Sequence, residues 1–166
     1  MTKEKLKQAV CEIKQHRDDI INRLVQFSKT DSLLFWDTDA AVAKKQEQLW
    51  APVLKWANQE MNSGYAATDK LEVIEPDSNS LAGLRSFMEG MSDEELAAFY
   101  LASMNMKSEL LAAALVKGHI NADEAYNAAY LEELSQAERW GHDALADERR
   151  QNMQAELSDI EAFLKK

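Results

Sequence analysis

Residues 92–118 read SDEELAAFYLASMNMKSELLAAALVKG, a run with no proline and no glycine before its last position. Ser92 and Glu95 have the serine-to-glutamate spacing of a capping box, in which each side chain satisfies a free backbone N–H of the first helical turn. Lys117 and Gly118 close the run with a cation against the helix dipole and a residue free to turn left-handed. The stretch predicts one long helix from Ser92 to Val116. It sets the fold class for the rest of the chain.

Working outward, the same helical periodicity recurs. Asn121 and Glu124 open a helix that runs to Trp140, where Gly141 is the natural stop. A last helix covers about 143–164. Upstream, a short helix spans about 80–90. A longer one runs from Asp39 to Met61, with Ala43, Leu49, Trp50, Val53, Leu54 and Ala57 as its apolar stripe. Pro52 lacks the interior N–H donor, so that helix kinks or restarts there. The first helix spans about 3–28 on Leu6, Val10, Ile13, Ile20, Leu24 and Phe27. Leu33 to Trp36 is a buried extended piece or a connecting turn. Residues 71–74 alternate apolar and acidic and suggest a short irregular or β-like segment. The expected fold is a single all-α domain over 1–166, a bundle of five to six helices.

Composition agrees. There are 24 Ala and 19 Leu in 166 residues, but only 5 Gly and 2 Pro, which favours helix throughout. No apolar run is long enough for a membrane span. A net charge of −10 argues against a nucleic-acid partner and against adhesion to anionic lipid. The lone Cys11 excludes an internal disulfide and a four-cysteine zinc site.

Some residues break the pattern. On the 121–140 helix, Ala122, Tyr126, Ala129, Ala137 and Trp140 define an inward stripe, and Glu133 falls among them. An apolar-face carboxylate needs a partner or a function. Lys107 lies on or beside the stripe of the 92–116 helix. Two neighbouring helices with opposite stray charges suggest a Lys107–Glu133 pair that fixes register, or else a Glu133 open to a partner in a groove. Asn121 to Glu148 holds eight acids and one base, Arg139. This is either a solvated face or a binding face tipped by Trp140. His16, His119 and His142 form no metal-binding motif, and Glu138 and His142 are separated by the helix-ending Gly141. No nucleophile elbow or phosphate-binding glycine loop is present, so neither an enzyme nor a metal or cofactor is expected. The competing classes are a helical interaction domain, a structural subunit of a stable complex, and a metal or cofactor protein.

Five stretches, taken together, carry a resemblance. They are Thr30-Asp-Ser-Leu-Leu-Phe-Trp36, Leu49-Trp-Ala-Pro-Val-Leu-Lys-Trp-Ala57, Asn105-Met-Lys-Ser108, Leu115-Val-Lys-Gly-His-Ile-Asn-Ala-Asp-Glu-Ala125 and Leu131-Glu-Glu-Leu-Ser-Gln-Ala-Glu-Arg-Trp-Gly141. In this order they resemble the helical C-terminal domain of the mitochondrial F-type ATP synthase assembly chaperone that handles the alpha subunit, a family also found in alpha-proteobacteria. The resemblance implies a non-enzymatic chaperone of the mitochondrial matrix, a monomer without cofactor. It implies binding of the unassembled alpha subunit until the beta subunit replaces it. It also implies that a β-rich domain precedes this one in a larger protein. The family's functional acid matches Glu133, with Glu132, Glu138 and Trp140 in the same motif. Trp50, Pro52, Trp56, Lys107 and Gly141 are expected to be structural. Leu134, Ser135 and His142 depart from the family pattern.

Overall fold

The computed structural model describes residues 2–70 and 75–165. Nine α-helices are described: α1 (Thr2–Phe27), α2 (Ala40–Leu49), α3 (Ala51–Met61), α4 (Ser78–Glu89), α5 (Asp93–Met106), α6 (Glu109–Val116), α7 (Ala122–Ala129), α8 (Leu131–Trp140) and α9 (Ala144–Leu164). Two single-turn 3-10 helices, Ser28–Thr30 and Ser32–Leu34, follow α1. The expected all-α class holds. The helix count rises because three expected helices are each split. The β-like segment expected at 71–74 lies outside the described residues. Just before it, Phe35 and Thr68 form a single parallel bridge, with Trp36 N–H donating to the Thr68 carbonyl at 2.8 Å.

The centre is α5, packed against α1, α6 and α9. Leu96, Ala97, Ala98, Phe99 and Ala102 are fully buried there. α6 is buried on every side from Glu109 to Leu115, as a helix apolar all round must be. Small alanines on both helices let the backbones approach closely.

The first split was expected at Pro52. α3 starts at Ala51 with Pro52 in its first turn, where its missing N–H costs nothing. The stripe of α2 is rotated from the expected one: Val42 and Gln46 are buried, whereas Leu49 is exposed and Ala43 half-buried. Trp50 stays in the right-handed helical region, and Val42, Gln46, Trp50, Val53, Ala57 and Met61 form one buried stripe at three- and four-residue spacing across the junction.

The other two splits correct the sequence reading. The 92–116 helix breaks at Lys107, which adopts left-handed φ/ψ of 55 and 34°. Ser108 then caps α6 through its side chain, which accepts from Leu111 N–H. A second cap comes from far upstream: the buried Asp31 carboxylate accepts from Leu33 N–H and from Leu110 N–H at 2.9 and 3.0 Å. Ser32 N–H also donates to the Lys107 carbonyl at 3.0 Å. The break therefore pays for itself with bonds to another part of the chain. The 121–140 helix breaks at Tyr130, whose hydroxyl donates to the Asn105 carbonyl at 2.8 Å. Asn105 in turn donates to the Met153 carbonyl, so α5, α9 and the α7–α8 junction meet at one residue. The Ser92 capping box forms as expected, and Asn121 with Glu124 forms a second complete one at the start of α7. α1 carries one feature absent from the sequence reading, a non-helical residue at His16.

Candidate functional site

Because of the break at Tyr130, α8 presents a different face from the one a continuous helix implies. Ala122, Tyr126 and Ala137 of the expected inward stripe are buried, and Ala129 is half-buried. Trp140 is not part of that stripe. It is 79% exposed, and Leu145 across the turn is 77% exposed. They are the two most exposed large apolar side chains among the described residues. Gly141 between them has φ of +98°, a conformation open to glycine that ends α8 abruptly. Asp143 caps α9 by accepting from Leu145 N–H.

Glu133 is half-buried, and its partners lie on α9. Its carboxylate pairs with Arg149 and, at 3.3 Å, with Arg150. Arg150 also pairs with Asp147 one turn earlier. The Asp147 carboxylate contacts His142 Nδ1 at 3.0 Å. The expected Lys107–Glu133 pair is absent: Lys107 is exposed and caps the end of α5. Sequence periodicity placed both charges on helices that do not exist as continuous elements. Neither is Glu133 a bare carboxylate in a groove, since two guanidiniums cover it.

The acidic run of 121–148 is less one-sided in space than in sequence. Glu138 sits 3.6 Å from Lys45, and Arg139 donates to Asp39 at 3.1 Å. That contact, with two backbone N–H bonds, holds the Asp39 carboxyl below its usual range. Glu132 behaves oppositely. Burial, then the nearby Asp37 carboxyl, raises its pKa. Asp37, Glu132, Ser135, Arg139 and Trp140 line a cleft of about 280 Å³ between α2 and α8. Glu148 remains an exposed acid beside the corner.

The expected structural residues fall into place. Trp50 is buried and Trp56 stacks on His119 with ring centroids 4.8 Å apart. Pro52 and Gly141 start and stop helices. The sequence reading missed Leu145, Asp147, Arg149 and Arg150. The Asp147–Arg150 spacing of three residues was a visible ion-pair signal, but nothing local linked either to Glu133. Among the described residues, no three His, Cys, Asp or Glu side chains gather as metal ligands would. No described helix is long and apolar enough to cross a membrane.

The model of the ATP12 chaperone protein family matches residues 2–58. No curated protein sequence matches the chain. Among solved structures, the crystal structure of Atp12 from Paracoccus denitrificans superposes with a TM-score of 0.88 at 26% identity, over 95% of this chain and 68% of that one. An aspartate-to-lysine mutant of the same protein gives the same values. The Atu1473 protein of Agrobacterium tumefaciens superposes with a TM-score of 0.84 at 25% identity, over 94% of this chain and 59% of that one. The family match lies in α1 to α3, and the structural matches extend through α9. In sequence over residues 2–58, and in fold over nearly its whole length, the chain is similar to the ATP12 chaperones.

Proposed function

We propose that the chain assists assembly of the F-type ATP synthase by capping the unassembled alpha subunit of the catalytic head until the beta subunit takes its place. The reading is of a binding protein, not an enzyme. The observation that carries it is the α8–α9 corner, where Trp140 and Leu145 stand almost fully in water. Large apolar groups standing in water are unfavourable until a partner covers them.

Around this corner, Asp143 and Glu148 are exposed acids, and Glu138 shares its charge with Lys45. Such acids steer a client with basic neighbours and select against others, while the apolar pair supplies affinity. Glu132, in its cleft beside Trp140, offers a carboxylate whose solvation is already partly lost. A cation from the client relieves that cost. Exchange for the beta subunit requires only that the final interface be larger or better packed than this small one.

The proposed setting is the mitochondrial matrix. The solved relatives are bacterial, and the same task in a bacterial cytoplasm is the alternative setting. We also propose that the chain acts as a monomer, as the C-terminal domain of a larger chaperone with a preceding β-rich domain.

The test is light scattering of isolated alpha subunit with and without the purified chain, with beta subunit as the control client. Suppressed aggregation of alpha alone is the expected outcome. Equal protection of both subunits, or of neither, refutes the client assignment.

A further inference from the structure

The clamp that joins α8 to α9 suggests how Glu133 acts. Arg150 is only 6% exposed, yet it is charged. A buried guanidinium is tolerated when its donors are matched by carboxylates. Here the planar fork serves two, Glu133 from α8 and Asp147 from α9. A lysine ammonium in that place lacks the fork needed to bridge both. Arg149, about half exposed, pairs with the same Glu133 oxygen, Oε1.

The turn itself supplies little restraint. Residues 141–145 are all exposed. A Cβ built on Gly141 meets nothing within 4 Å. Neither Trp140 nor Leu145 belongs to the hydrophobic core. What spans the turn is the chain of contacts Glu133–Arg150–Asp147–His142.

We infer that Arg150, aided by Arg149, is a positioning residue: it locks α8 to α9 through Glu133 and so holds Trp140 and Leu145 together as one apolar anchor for the client. This rests on the proposed client face. On this reading, Glu133 acts by holding the arginines and not by touching a basic group on the client.

Two views of Glu133 then predict opposite signs for the arginines. If the clamp positions the anchor, removing an arginine weakens binding. If Glu133 meets a basic client directly, removing Arg149 frees the carboxylate, makes the face more negative and tightens binding.

The experiment is titration of isolated alpha subunit with Arg149→Gln and Arg150→Lys, with hydrogen exchange of the free variants. Arg149 is at the surface, so its variant folds even if the buried Arg150 variant does not. Positioning predicts that Kd rises about tenfold for Arg149→Gln. It also predicts several-fold faster exchange of the Leu145 and Asp147 amides, which Asp143 holds in the α9 cap. An unchanged or lower Kd overturns the inference, and so does unchanged exchange, whether or not alpha is bound. Trp140→Ala separates this from the underlying reading. Full affinity in Trp140→Ala removes the client face itself. Weak binding in Trp140→Ala with tight binding in Arg149→Gln keeps the face and removes the clamp.

Discussion

The indole N–H of Trp50 donates to the backbone carbonyl of Ala128 at 2.7 Å, tying the α2–α3 break to the end of α7. Both groups are buried. A phenyl ring in that place leaves the carbonyl without its donor and part of the ring volume empty. Trp50→Phe should therefore cost about 2–4 kcal/mol of stability, read as a lower midpoint in urea unfolding. A loss below about 0.5 kcal/mol would show that water replaces the indole.

Gly83 on α4 lies against the backbone of α3. A Cβ there would sit 2.1 Å from the Met61 carbonyl oxygen. That neighbour is backbone and cannot swing aside, so Gly83→Ala must push the two helices apart. The expected cost is about 1–3 kcal/mol. Gly90→Ala is the control, since its Cβ would meet only ordinary contacts at 3.6 Å and beyond. A melting temperature unchanged in Gly83→Ala contradicts the close approach.

Glu109 and Asp31 are both buried, at 2% and 1% exposure. Asp31 accepts the N–H groups that begin α6, which suits a carboxylate, though burial raises its pKa too. Burial, and then the charge on Asp31, pushes Glu109 from 4.5 up to about 8. Folding thus takes up a proton between those values. The stability tied to that proton is complete below 4.5 and is lost as pH rises through about 8. Glu109→Gln keeps an N–H donor for Asp31 and titrates no proton. Its stability relative to the parent should grow from pH 5 to 8 and then level off. Parallel pH curves for the two proteins would place the shared proton elsewhere.

Reversing the charge of Glu133 sets a lysine against Arg149 and Arg150. Glu133→Lys should lower alpha-subunit binding by at least tenfold, about 1.4 kcal/mol, while helical circular dichroism stays within error. The surface character of Arg149 leaves room for the repulsion to relax outward. Loss of helicity along with binding would make Glu133 a folding residue and nothing more.

Much of the fold was legible because its signals are local. Ser92 with Glu95, Asn121 with Glu124, Pro52 and Gly141 each act within a few residues through caps, a missing N–H or a free φ. Those residues placed helix ends that the structure keeps. The breaks at Lys107 and Tyr130 were not legible. No proline or glycine marks either. At Lys107 a distant group, Asp31, accepts a backbone N–H that a continuous helix would bond internally. At Tyr130 the flanking helical bonds are kept, and the side-chain hydroxyl is what reaches the Asn105 carbonyl.

The candidate site divides in the same way. Sequence alone marked Glu133 as out of place on an apolar stripe and Trp140 as a motif residue, and it fixed the all-α class and the absence of chain-breakers that makes it so. It could not say that Trp140 stands in water, that Leu145 joins it, or that the partner of Glu133 is Arg150 and not Lys107. The phase of α8 was lost at Tyr130, and a side chain's exposure depends on that phase. Ion pairs between helices depend on crossing geometry, which the packing of α5, α7 and α9 decides and no single helix encodes.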